Sequence, residues 1–111
     1  MTEPTIDLPT FTELQAAAGA TFVTELVDTF LEEAPAMLAE LRSAQAAGAA
    51  ETFRRAAHSL KSNSHTFGAN RLGESARELE LGGLITDTGA LDALEAEYQR
   101  VAAALQEMCR G

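Results

Sequence analysis

The chain has 111 residues, with 17 acidic against 8 basic side chains and a net charge of −9. That length bounds it to one domain with a modest core. The acidity argues against nucleic acid and anionic membranes as partners, since both call for a basic surface. Abundant Ala, Leu and Glu with only 5% aromatics favour helix over strand. No apolar run approaches the roughly 20 residues that span a bilayer. The N-terminal MTEPTIDLPT lacks the basic-then-apolar order of a signal peptide, so the expected location is the cytoplasm. Cys109 has no second cysteine to pair with and reads as a small apolar side chain.

Residues 1–9, with Pro4 and Pro9, are expected to form a flexible tail ahead of a helical domain over 10–111. Thr10 and Glu13 have the spacing of a capping box, opening a short helix from Phe11 to Ala18 that stops at Gly19. A second helix is predicted over 20–47. Its apolar residues Val23, Leu26, Val27, Phe30, Met37, Leu38 and Leu41 recur at three and four. Pro35 lies inside it and removes a helix hydrogen bond, which predicts a kink near Leu31 or two helices in line.

A third helix is predicted over 50–67, ended by Gly68, with Asn70 placed to cap the next. The fourth runs over 71–81 and is interrupted by Gly82-Gly83. The last runs over 90–110, where Leu91, Leu94, Tyr98, Val101, Leu105 and Met108 form a bundle seam. Short connections between antiparallel neighbours predict an all-α protein. Its expected form is an up-down-up-down four-helix bundle with a short additional N-terminal helix.

The third helix holds the most informative stretch, RRAAHSLKSNSHTFGA over 54–69. At about 100° per residue, Arg54, Arg55, Lys61, Ser62 and His65 fall within roughly 60° of His58. Phe53, Ala56, Leu60 and Phe67 fall opposite and face a core. No carboxylate occurs between Glu51 and Glu74, while the same window holds Arg54, Arg55, Lys61 and Arg71. The sequence therefore reads as an exposed imidazole within a cationic island, with no acid on its face. For an arbitrary helix such a face is ordinarily just solvated surface.

His58, Leu60, Lys61, Ser62, Ser64, Gly68 and Ala69 together resemble the signature of histidine-containing phosphotransfer (HPt) domains. The family pattern is roughly His-x-Leu-Lys-Gly-x-Ser/Ala-x-x-x-Gly-Ala; Ser62 departs from it, standing where glycine is commonest. The resemblance implies that His58 accepts a phosphoryl group from a receiver-domain aspartate through Nε2 and passes it to another receiver. It implies response-regulator receivers or a hybrid sensor histidine kinase as partners. It also implies magnesium on the receiver only, with no cofactor on this chain.

The chemistry of the face is compatible with that role. Imidazole, with an ordinary pKa of about 6.5, is a nitrogen nucleophile at neutral pH. Lys61, one turn away, is placed to stabilise charge on the moving phosphoryl oxygens. Ser62 is a small residue lying against the ring, where bulk would block a partner. Arg54, Arg55 and His65 are expected at the docking rim. His65 stands about 10 Å along the axis from His58, too far to share a metal ion with it. With no acid visible beside His58, no local base is expected to hydrolyse the phosphohistidine. No glycine-rich nucleotide loop is present, so a carrier without kinase activity is expected. A monomer is expected because the bundle closes within one chain. The alternative is a non-catalytic helical adaptor that binds a partner through the same basic face.

Overall fold

The computed structural model describes residues 4–110. Five helices carry the fold: α1 (Leu8–Ala18), α2 (Ala20–Ala47), α3 (Ala50–Thr66), α4 (Asn70–Gly82) and α5 (Gly89–Arg110), with no strand among the described residues. α3 packs between α2 and α4, α5 closes against α2 and α4, and α1 rests on α2 and α3. The core is built from the apolar stripes of all five, with Phe11, Val23, Leu41, Phe53, Leu60, Leu72, Leu94 and Leu105 essentially without solvent contact.

The start of α1 differs from the expectation. The cap is Asp7, not Thr10, and its carboxylate accepts from the Thr10 backbone N–H at 3.2 Å and from the Thr10 hydroxyl. An ionised acid at the positive end of a helix is a stronger cap than threonine. Pro9 is harmless in the first turn, where its missing N–H leaves nothing unpaired. Ile6, placed in the tail by the sequence reading, is buried in the core. The Asp7 N–H donates to the Gly68 carbonyl at 2.8 Å, pinning α1 to the α3–α4 turn. Gly68 has φ +82°, and a Cβ there would lie 2.9 Å from the Asp7 carbonyl oxygen. Both the backbone region and the close approach require glycine. The expected tail residues 1–3 lie outside the described residues.

α2 remains one helix through Pro35, so the reading of two helices in line is set aside. Proline cannot donate to the Leu31 carbonyl one turn back. That carbonyl instead accepts the Tyr98 hydroxyl from α5 at 3.4 Å. Burial pushes the Tyr98 phenol's pKa up, which keeps it a donor. Tyr98→Phe is expected to cost about 1 kcal/mol in denaturant unfolding by leaving the Leu31 carbonyl unsatisfied. Unaltered stability in that variant would show the carbonyl to be adequately solvated without it.

α3 has the predicted phase: Phe53, Ala56, Ala57, Leu60 and Ser64 are buried. The Ser64 hydroxyl donates to the Leu60 carbonyl at 2.6 Å, so its burial leaves no orphan group. α4 begins at Asn70 itself rather than being capped by it. From inside the first turn the Asn70 side chain faces back to α3, with Oδ1 3.3 Å from His65 Nδ1. The α4–α5 connection is held by Gln45 of α2. Its amide accepts the Ile85 N–H at 2.9 Å and donates to the Ile85 carbonyl.

Candidate functional site

The phase that buries Ala57 and Leu60 turns His58 outward, with its side chain 54% exposed. It is not alone there. Glu80 reaches across from α4 and places Oε2 2.7 Å from His58 Nδ1. Its other oxygen, Oε1, lies 2.8 Å from Lys61 Nζ. One carboxylate thus joins the two residues that the sequence reading singled out first. This corrects the expectation that nothing acidic shares the face of His58. The acid comes from the adjoining helix, 22 residues on, and no inspection of α3 by itself reveals it.

The electrostatics of the group follow from this geometry. Glu80 is only 11% exposed, against 24% for Lys61. Lys61 first, and His58 second, hold the Glu80 carboxyl below its ordinary value of 4.5 against the opposing effect of desolvation. An ionised carboxylate only accepts hydrogen bonds, so His58 Nδ1 must be the donor. In neutral imidazole that leaves Nε2 unprotonated, with its lone pair directed away from Glu80. The hold on His58 is complete above pH 4.5. It is lost as pH falls through the lowered Glu80 pKa, together with the stability the carboxylate contributes.

The remaining predicted residues are distributed around this group. Arg54 donates to Glu51 through Nε and a terminal nitrogen, and Arg55 Nε stands 4.0 Å from the same carboxylate. The single Glu51 carboxylate thus serves both guanidiniums, Arg54 through hydrogen bonds and Arg55 only at the edge of ion-pair distance, and both arginines remain exposed. Ser62 is exposed one turn beyond His58. His65 sits on the α3–α4 seam: a Cβ added to Gly73 would come within 2.6 Å of its ring. Gly73 is thus the recess that lets the two helices close over the imidazole. His65 faces Gly73 as His58 faces Glu80, one antiparallel register with the first pair two turns nearer the α3–α4 turn.

The Hpt domain family model matches residues 25–104, a span that includes His58, Lys61, Ser62 and Glu80. The fold is similar to the crystal structure of histidine-containing phosphotransfer protein B (HptB) from Pseudomonas aeruginosa PAO1. The TM-score is 0.89 with 26% sequence identity, covering 98% of this chain and 97% of that one. No curated protein sequence matches the chain.

Proposed function

This chain belongs to the Hpt domain family, and on that premise we propose that His58 carries a phosphoryl group between receiver-domain aspartates in a phosphorelay. The observation that carries the assignment is the Glu80 contact at Nδ1, which leaves Nε2 of an exposed imidazole as a free nucleophile.

In the forward step the Nε2 lone pair attacks the phosphorus of an aspartyl phosphate. The N–P bond forms, the P–O bond to the aspartyl carbonyl carbon's oxygen breaks, and the receiver carboxylate leaves with the electron pair. The proton stays on Nδ1. Positive charge developing on the ring is met by Glu80, and charge on the phosphoryl oxygens is met by Lys61. The return step to a second receiver is the reverse. Magnesium, on this reading, sits on the receiver.

Glu80 also bears on the lifetime of the product. Its two oxygens are engaged by His58 and Lys61, and it stands on the Nδ1 edge of the ring, away from phosphorus on Nε2. It is poorly placed to activate a water there, so the phosphohistidine persists until an acceptor arrives. This keeps the carrier reading although the acid-free face expected from sequence is not what α4 provides.

We further read the four long helices as an up-down-up-down bundle with α1 as the additional short helix, acting as a cytoplasmic monomer without kinase activity of its own. No helix among the described residues is long and apolar enough to cross a membrane.

The test is transfer from a radiolabelled, phosphorylated receiver to this protein. Acid-labile, base-stable label supports the reading; no label from a panel of receivers favours the adaptor instead. Glu80→Gln, which keeps shape and removes charge, is expected to slow transfer about tenfold, the scale of one charge-assisted hydrogen bond in the transition state. The imidazole 15N shifts should move from a single Nδ1–H tautomer toward a mixture. Unchanged rate and unchanged shifts would remove Glu80 from the mechanism.

A further inference from the structure

Gly73 is buried inside α4, where glycine weakens a helix relative to alanine. It is not one of the glycines with positive φ, so its backbone conformation does not call for glycine. The space it leaves does. A Cβ there would stand 2.6 Å from Nε2, 2.7 Å from Cε1 and 2.8 Å from Cδ2 of His65, against 3.4 Å or more for ordinary contact. At Gly82 of the same helix a Cβ would meet nothing within 4 Å. The imidazole of His65 therefore seats as a knob in a hole that α4 keeps open for it. Asn70 Oδ1, 3.3 Å from Nδ1, accepts from the ring and fixes its orientation in the recess.

This knob stands between a fixed turn and the contact at His58. The turn is tied by backbone hydrogen bonds: Gly68 N–H to the His65 carbonyl at 3.1 Å, Ala69 N–H to the Ser64 carbonyl at 2.9 Å and Asp7 N–H to the Gly68 carbonyl at 2.8 Å. His65 and Gly73 each lie four residues from Ala69, and His58 and Glu80 each lie eleven. Along the helix axes that is about 6 Å for the first pair and about 16 Å for the second. A change in helix separation at His65 is therefore magnified nearly threefold at His58, by roughly the ratio of those lengths. The contact there has little slack. Glu80 Oε2 stands 2.7 Å from His58 Nδ1, and such a bond weakens beyond about 3.2 Å.

We propose that His65 is a positioning residue: seated in the recess at Gly73, its ring sets the separation of α3 and α4 at which Glu80 reaches His58 Nδ1. It thereby holds His58 in the Nδ1–H tautomer that leaves Nε2 free. His65 touches no reacting atom and acts through Glu80, from within the seam and not from the docking rim. The use made of that tautomer rests on the phosphotransfer reading; the positioning itself does not.

The experiment compares the full chain with His65→Ala, Gly73→Ala and the double variant at one neutral pH, well below their melting temperatures. It reads the imidazole 15N shifts of His58 and the rate of transfer from a radiolabelled, phosphorylated receiver. His65→Ala also tells the two imidazole signals apart. Each single variant is expected to move His58 toward a mixture of tautomers and to slow transfer about fivefold, within the effect of losing the Glu80 contact. In the double variant the methyl added on α4 enters the room that the ring vacates. Its His58 shifts should return toward the parent and its transfer to within about twofold, a coupling that two independent losses do not show. On a Glu80→Ala background, His65→Ala should change neither readout further. Melting temperatures that fall while the His58 shifts stay put would overturn the proposal, and so would additive effects in the double variant. Should Gly73→Ala not fold, His65→Ala decides, since it forces no atom into the seam; unchanged His58 shifts there overturn the proposal. A parent without the Nδ1–H tautomer does the same, because there is then no contact to position. Shifts that move as expected, with no label on any variant or parent, would support the positioning and sink the phosphotransfer reading. Label without those shifts would do the opposite.

Discussion

His58→Gln is expected to reduce labelling from a phosphorylated receiver to background while leaving the helices intact. The two halves of that expectation have separate physical grounds. An amide nitrogen has its lone pair delocalised into the carbonyl and is no nucleophile, so the N–P bond cannot form. The side chain is 54% exposed and its polar contact is with Glu80 at the surface. The core beneath is made by Ala57 and Leu60, which the substitution does not touch. Surface changes of this kind usually move stability by about half a kcal/mol or less. Glutamine also retains an N–H that can donate to Glu80, so that carboxylate is not stranded. Transfer is read by acid-labile label and folding by thermal unfolding followed in the far ultraviolet. Full label on the variant would move the site elsewhere. His65 would be the first residue to check, although its ring is packed over Gly73. A folded variant that takes no label yet binds receivers would separate chemistry from docking.

The contrast between His58 and Glu80 shows what the sequence could and could not disclose. His58, Lys61 and the buried phase of Phe53, Ala56 and Leu60 were legible because they are properties of one helix at a fixed 100° per residue. Glu80 was not, because its relation to His58 depends on how α3 and α4 are set against each other. A usable signal did exist. The turn at Gly68 makes the two helices antiparallel, and residues equally far from the turn then face each other. Counting outward from Ala69, the residue after that glycine, brings His65 to Gly73 and His58 to Glu80. The cap of α1 was missed for a different reason: the Thr10–Glu13 spacing met the pattern of a capping box, but Asp7 competed for the same helix end and brought a full charge. Pro35 was legible as a broken hydrogen bond. Its compensation by Tyr98 from α5 is again a relation between helices, which a local reading cannot contain.

Leu60→Asp puts the same helical phase to its most severe test. Leu60 has no solvent exposure and lies in the cluster with Phe53, Ala57 and Leu72. Removing a buried leucine side chain costs about 2–5 kcal/mol through lost burial and the cavity left behind. Placing a carboxyl there adds the cost of desolvating it without a partner, several kcal/mol more. A domain of this size is stable by about 5–15 kcal/mol, so the sum is comparable with everything that holds it folded. The expected result is loss of the cooperative thermal transition at neutral pH. Burial disfavours the charged form and raises the pKa of the new carboxyl. The folded state therefore recovers part of its stability as pH falls toward that raised value, until protonation of Glu80 begins to act in the other direction. Leu60→Met is the matched control, expected to cost less than about 1.5 kcal/mol because it keeps volume and polarity. A Leu60→Asp protein that melts like the parent would mean that Leu60 does not face the core. α3 would then have to be rotated, His58 would turn inward, and its contact with Glu80 would fall together with it.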